Sequence, residues 1–278
     1  MSDPRLTPSN ARVTAAHLPA PSEGQNRVTG SPMQVSCPVV DLCRSPGGAR
    51  DRQLLWGDRV TVYETREGWC FVQAEKDGYV GYIPAETVSP AHEATHLVSA
   101  RATHVYSAPD MKSPDRLNLS FGSRIAVGAV SGGFAEIEEG FLPVQHLSPI
   151  GVALADPVEV AARFLGTPYL WGGNSHLGVD CSGLVQAAVL ACGMDCPGDS
   201  DMQAESLGVL LPAGSEIQRG DLLFWKGHVG LVAGPDTLLH ANAFHMATAY
   251  EPLEEAISRI KTQGDGPVTA HRRLSVTG

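Results

Sequence analysis

Asp180-Cys181-Ser182-Gly183 places a thiol where a helix can begin. Leu184, Val185, Ala188, Val189 and Cys192 follow at helical spacing, so the sequence predicts a helix over 181–193 with Asp180 as its N-cap and Cys181 in its first turn. The first-turn N–H groups and the helix dipole favour a thiolate, which is the nucleophilic form of cysteine. A cysteine taken at random is more often a small buried hydrophobe. Here the flanks are polar or small, and the preceding Tyr169-Leu170-Trp171-Gly172-Gly173-Asn174 has the glycines of a loop whose backbone comes close to a site. A base is available as well. His228 opens the run Val229–Ala233 and His240 closes the run Thr237–Ala241, with the turn Gly234-Pro235-Asp236 between them. If these two strands pair across that turn, the imidazoles share one sheet edge, with His228 as base and His240 orienting it through the second ring nitrogen. Asn242, on the same strand face as His240, is the competing third member.

The elements that must carry these groups begin near residue 155. Asp156-Pro157 reads as an N-cap with proline at the first helical position, and Val158, Ala161, Ala162 and Leu165 supply an apolar face. Leu222–Trp225 precedes the two histidine-bearing runs, so three short strands in an antiparallel meander are expected after the cysteine helix, giving an α+β domain over 151–278.

Residues 35 to 150 have a different texture, with short β-branched runs between Gly, Pro and Asp turns and no helical period. They also repeat. Gly57, Gly68 and Trp69 match Gly122, Gly133 and Phe134 at an offset of 65, whereas Gly81-Tyr82-Ile83-Pro84 and Val88-Ser89-Pro90 match Gly140-Phe141-Leu142-Pro143 and Leu147-Ser148-Pro149 at an offset of 59. The first copy therefore has six additional residues between Trp69 and Gly81. Two small all-β barrels, over 31–90 and 91–150, account for this better than one large sandwich. Residues 1–30, with Pro19-Ala20-Pro21-Ser22-Glu23-Gly24, read as a tail or an extended lead-in.

The motifs Tyr169-Leu170-Trp171-Gly172-Gly173, Asp180-Cys181-Ser182-Gly183, Gly220-Asp221-Leu222-Leu223-Phe224 and His228-Val229-Gly230 resemble the NlpC family of papain-like cysteine peptidases, and the repeats resemble the bacterial SH3-like modules that often precede such domains. The resemblance implies two N-terminal SH3-like barrels followed by an α+β papain-like catalytic domain. It also implies cleavage of peptidoglycan peptides between γ-D-glutamate and a diamino acid such as meso-diaminopimelate. By position, Cys181 is then the nucleophile, His228 the base, His240 the third polar residue, and Tyr169 a donor to the oxyanion beside the Cys181 N–H. Tyr79, inside the additional segment of the first repeat, resembles a residue of the loop that closes the groove in relatives requiring a free N-terminal L-alanine. Asp180 would meet the substrate ammonium, Ser182 its backbone, and Asp199-Ser200 another part of it, with Gly198 standing where many relatives have arginine. A second acid for the ammonium is expected from the first module, Asp51 or Asp58.

Thirty Asp+Glu against twenty Lys+Arg give a net charge of −10, which opposes nucleic acid or an anionic membrane surface as partner. The excess lies mainly in the last 128 residues, with 14 acids against 7 bases. No run approaches the ~20 apolar residues of a membrane span, and the first residues lack the apolar stretch of a secretory signal, so a cytoplasmic protein with thiols rather than disulfides is expected. No cofactor is required. A metal site built on His176, Cys192 and Cys196 lacks zinc spacing, and Cys37, Cys43 and Cys70 read as core or incidental thiols. Two other function classes remain open: a wall-binding protein with an inactive papain-like domain, and an acyltransferase or amidase on the same scaffold.

Overall fold

The computed structural model describes residues 3–19 and 22–275. Ala20 and Pro21, in the Pro/Gly-rich part of the lead-in, and residues 276–278 lie outside the described residues. The chain divides into two compact units, residues 1–150 and 151–278.

In the first unit the earlier repeat forms a seven-stranded antiparallel sheet in the order Arg50–Leu55, Val39–Cys43, Val80–Pro84, Trp69–Ala74, Arg59–Arg66, Ser31–Val35, Val88–Pro90. The later repeat uses the same order, split into a five-stranded and a three-stranded sheet. The offset of 59 read from the sequence has a structural counterpart. Pro84 and Pro143 each lead into a one-turn 3-10 helix, Ala85–Thr87 and Val144–His146, and then a short strand, Val88–Pro90 and Leu147–Pro149. The additional residues of the first copy lengthen one hairpin: Trp69–Ala74 and Val80–Pro84 are joined by residues 75–79, whereas Phe134–Ile137 and Gly140–Pro143 are joined by Glu138 and Glu139 alone. The two copies share a core, because Trp56 of the first packs with Val98, Val105, Leu119, Ile125, Ile137 and Leu142 of the second. Removing a buried ring of this kind typically costs about 3–5 kcal/mol, so the repeats stabilise one another. Gly57, at φ +74°, follows from that packing, since a Cβ there would collide with the Arg124 carbonyl oxygen.

The described part of the lead-in is folded onto the first repeat. Val13–Ala15 pairs in parallel with Asn26–Val28, the Val80 N–H donates to the Arg5 carbonyl, and the Arg12 guanidinium holds Glu64 by two bonds of 2.6 and 2.7 Å.

The second unit has four helices, α1 (Pro157–Ala162), α2 (Cys181–Ala191), α3 (Ser200–Ser206) and α4 (Leu253–Ile260). Among the described residues its main sheet has six strands, numbered β1 (Val209–Leu210), β2 (Asp221–Trp225), β3 (His228–Gly234), β4 (Thr237–Asn242), β5 (Ala247–Pro252) and β6 (Ala270–Arg273), and a separate two-stranded ribbon pairs Asn174–Ser175 with Gly178–Val179 ahead of α2. The sheet order is β1-β6-β2-β3-β4-β5. The expected β2-β3-β4 meander is antiparallel throughout, and the sheet extends further than the sequence suggested, with β5 beyond β4 and β6 inserted beside β2. Asp156 caps α1 by accepting the Val158 N–H at 2.8 Å. Helix α2, which Cys181 begins, packs on α1 and across β3 and β4, the strands that carry the histidines. Helix α4 covers the sheet through Leu253, Ala256 and Ile260, against Leu223, Trp225, Val232 and Leu238.

Candidate active site

Asp180 starts α2 in extended backbone and satisfies several donors at once. One carboxylate oxygen accepts the Gly183 N–H at 2.6 Å and the Ser182 hydroxyl at 3.0 Å, and the other accepts the Gly172 N–H at 2.9 Å. The acid thus ties the cysteine helix to the glycine loop in front of it. Gly183 explains the small residue after the motif, because a Cβ there would run into the Gly173 carbonyl oxygen. Gly183→Ala is expected to lower stability by about 1–3 kcal/mol, the usual range for overpacking, and to displace Cys181. A urea titration and a thiol-alkylation rate measure the two effects.

Cys181 is the first residue of α2 and is 7% exposed. Tyr169, twelve residues before Cys181 in the segment between α1 and α2, is half-buried. Burial and the proximity of Cys181 and Asp180 push its hydroxyl well above the ordinary tyrosine range, so it remains a hydrogen-bond donor at neutral pH. Gln203 of α3 is fully buried and donates to the carbonyls of Ser182 and Pro197 at 3.0 and 2.9 Å, steadying the first turn of α2 from a third side. Asp199 and Ser200 stand at the head of α3, and α3 packs on α2.

The imidazoles come together across β3 and β4. Leu231 lies opposite Leu239 and Val232 opposite Leu238, so the register continued places His228 diagonal to His240 on one sheet face. His228 Nε2 and His240 Nδ1 are 2.9 Å apart. Asn242 does not join them: its side-chain oxygen accepts the N–H of His245 at 2.8 Å and meets the His245 ring at 3.0 Å. The contact continues to residues that the sequence reading did not identify. His240 Nε2 lies 2.9 Å from Glu251 on β5, and Arg259 on α4 grips both Glu251 oxygens at 2.8 and 2.7 Å. His240 is fully buried and Glu251 is 5% exposed.

Burial, followed by the nearby charges of His240 and Arg259, drives the pKa of His228 down to about 3; burial, against the opposing pull of Glu251, takes His240 to about 4. Both rings are therefore neutral at pH 7. Arg259 wins over burial at Glu251 and holds its carboxyl below the usual range. Because the unfolded rings titrate near 6.5, unfolding takes up protons between about pH 6.5 and the lower folded values, and stability falls as pH falls through that window. Thermal unfolding midpoints between pH 7 and 4 are expected to drop, with a shallower slope in His228→Gln.

Tyr79 belongs to the first unit, at the end of its longer hairpin, buried and donating its N–H to Asp77 at 3.0 Å. Of the two acids expected there, Asp58 is occupied structurally, accepting the Leu55 N–H at 2.9 Å and Lys76 at 2.7 Å; Asp51 pairs with the exposed Arg44 at 2.6 Å. None of the six cysteines is in a disulfide. Among the described residues, ligand atoms of His240, His245 and Glu251 lie within 4.8 Å of one another, close enough for a metal ion. The Arg259 guanidinium on both Glu251 oxygens opposes a second cation there. Also among the described residues, no helix is long and apolar enough to cross a membrane.

Residues 42–88 match the bacterial dipeptidyl-peptidase Sh3 domain and residues 166–264 match the NlpC/P60 family. The chain is 32% identical over 216 residues to the gamma-D-glutamyl-L-lysine dipeptidyl-peptidase of Bacillus subtilis, covering 68% of this chain and 71% of that protein. It is 28% identical to dipeptidyl-peptidase 6 of Lysinibacillus sphaericus over 68% of this chain and 79% of that one. A crystal structure of an NlpC/P60 family protein from Bacillus cereus superposes with a TM-score of 0.73 at 20% identity, over 88% of this chain and 99% of the other. With an SH3-like domain ahead of a papain-like one, and a relative this similar over most of its length, the chain is a cysteine peptidase that belongs to the NlpC/P60 family.

Proposed function

We propose that the protein hydrolyses the bond between γ-D-glutamate and the diamino acid in murein stem peptides that carry a free N-terminal L-alanine. The observation that carries the reading is Cys181 at the head of a helix packed on the strand that His228 opens, with the His228 ring bonded to His240. His228 takes the thiol proton, the thiolate attacks the carbonyl, and the proton passes to the departing amine; water then cleaves the thioester. Tyr169 and the Cys181 N–H donate to the oxygen that becomes negative, each such donor contributing about 2.7–4 kcal/mol in a comparable protease.

The substrate side rests on the relatives, two of which are named for dipeptidyl-peptidase activity, one of them on γ-D-glutamyl-L-lysine. Asp180, Ser182, Asp199, Ser200 and Tyr79 are the proposed substrate contacts. Asp180 is occupied as a cap, so an ammonium would add to its bonds rather than replace them. Both repeats of the first unit, over 31–90 and 91–150, are read as SH3-like barrels, since they share strand order and the Pro, 3-10 helix, strand sequence. The acidic second unit suits a groove that recognises a cationic amine at one end better than one that binds anionic wall polymer, which favours recycling of small released peptides in the cytoplasm. The diamino acid that the family resemblance implies is meso-diaminopimelate, with lysine the alternative.

Incubation with L-Ala-γ-D-Glu-diaminopimelate should release L-Ala-γ-D-Glu. The lysine peptide run in parallel decides the diamino acid. Equal turnover of the N-acetylated peptide would remove the recycling assignment while leaving the peptidase intact, and product formed only with an added amine acceptor would indicate an acyltransferase instead.

A further inference from the structure

We propose that Glu251 and Arg259 are positioning residues that fix the tautomers of both histidines, so that Nδ1 of His228 is the atom that takes the Cys181 proton. The inference rests on the peptidase reading for its consequence in catalysis, but its geometry stands without any substrate.

Arg259 donates to both oxygens of Glu251, which keeps the carboxylate ionised and therefore an acceptor only. At 2.9 Å from that carboxylate, His240 Nε2 must carry hydrogen, since a lone pair would face a negative oxygen. His240 is fully buried and held neutral, so its one ring proton is then used and Nδ1 is a lone pair. That lone pair lies 2.9 Å from His228 Nε2, which must in turn be N–H. His228 is neutral as well, so its remaining nitrogen, Nδ1, is bare and basic. A carboxylate two hydrogen bonds away thus determines which atom of the base is available. When Nδ1 takes the proton, the S–H bond breaks, an N–H bond forms, and the imidazolium still donates from Nε2 to a neutral acceptor, with the Glu251 charge behind it.

The register of the sheet makes the line possible. Glu251 lies opposite Leu238, two residues from His240 on the same face, so His228, His240 and Glu251 step across β3, β4 and β5. Arg259 is set from the outside, its guanidinium 4.4 Å from the centroid of Phe244 and its Nη1 donating to Gln263 at 2.7 Å. Among the described residues, His240, His245 and Arg259 have charged or titratable atoms close to Glu251, and His228 lies within range of its charge. If Glu251 gains a proton it becomes a donor, and the whole chain of hydrogen bonds reverses.

Two measurements test this, and each has a readout that needs no substrate. In long-range 1H–15N correlation spectra of the full chain near pH 7, His228 and His240 should both show hydrogen on Nε2 and none on Nδ1. A proton on Nδ1 of His228 would overturn the proposal. The second measurement is the rate of Cys181 alkylation by iodoacetamide against pH, read by mass spectrometry at the Cys181 peptide. Glu251→Ala should lower that rate about tenfold or more at pH 7 and lower kcat about 10²-fold with KM little changed, with partial rescue by formate. Arg259→Met keeps the carboxylate but raises its pKa, so the acid limb of the alkylation profile should move to higher pH. This variant keeps the test open if Glu251→Ala fails to fold. Glu254→Gln, exposed on the same helix, serves as the unchanged control. Folded Glu251→Ala and Arg259→Met proteins with unaltered alkylation profiles would refute the positioning role. Failure to cleave the murein peptide, with the tautomers and alkylation as expected, would refute the substrate assignment alone.

Discussion

Replacing Cys181 with alanine is expected to lower kcat/KM on the tripeptide by at least about 10⁴, with the protein still folded and still binding substrate. No other cysteine stands at the start of a helix that packs on the His228 strand: Cys192 is the C-cap residue of α2, and Cys196 follows it in a loop. Cys37, Cys43 and Cys192 have their thiols pushed up by burial, which makes them poor nucleophiles. Alanine removes the sulfur and leaves the Asp180 cap, the Gln203 bond to Ser182 and the Tyr169 hydroxyl in place, so the folded structure should survive. What remains is the rate that oriented donors supply without a covalent intermediate. Chromatographic release of L-Ala-γ-D-Glu gives the activity, and calorimetric titration of the variant with intact tripeptide gives the binding. Retention of more than a tenth of wild-type activity would mean that Cys181 is not the nucleophile.

Much of the frame that holds this thiol was legible from residue types alone, because local chemistry determined it. Asp156-Pro157 and Asp180 cap helices through their own side chains, and a cap requires nothing from the rest of the fold. The repeat was visible because turns made by glycine and by aromatic-apolar-proline segments recur whatever the intervening strands contain. The strands that were missed are polar ones. His271-Arg272-Arg273 reads as surface, yet β6 lies between β1 and β2 inside the sheet. It is held there by Asp221, 1% exposed, which takes His271 at 2.7 Å and two bonds from Arg273. Hydrophobic alternation cannot reveal a strand whose burial depends on a carboxylate 50 residues away.

The same limit explains why half of the histidine relay went unseen. His228 and His240 end runs of apolar strand residues, and a tight turn joins those runs, so their meeting follows from local pairing. Glu251 precedes Pro252-Leu253-Glu254-Glu255, which reads as the acidic, exposed start of a helix. Its actual environment is set by a partner eight residues on, one that reaches back from α4 over the end of β5. A buried acid with a cationic partner at that spacing has the signature of a surface pair, and only the sheet register distinguishes the two.

His240→Leu should lower kcat by about 10²–10⁴ while leaving KM within a few-fold, because the lost contact is to the base and not to the substrate. Leucine deprives His228 Nε2 of its acceptor, so the ring is free to turn and to exchange tautomers, and the imidazolium formed on attack loses the group that stabilises it. Glu251 stays paired with Arg259 in this variant, so the buried carboxylate is not abandoned and the fold should persist. His240→Asn separates the two effects. An amide oxygen can still accept from Nε2 of His228, so the asparagine variant should retain more activity than leucine even though it is the more polar of the two in a fully buried position. Steady-state kinetics on both, with melting curves to show that they are folded, decide the matter. Equal activities in the two variants would mean that His240 only fills space, and the orientation of His228 would then have to come from the packing of Trp225, whose ring centroid lies 5.7 Å from that of His228.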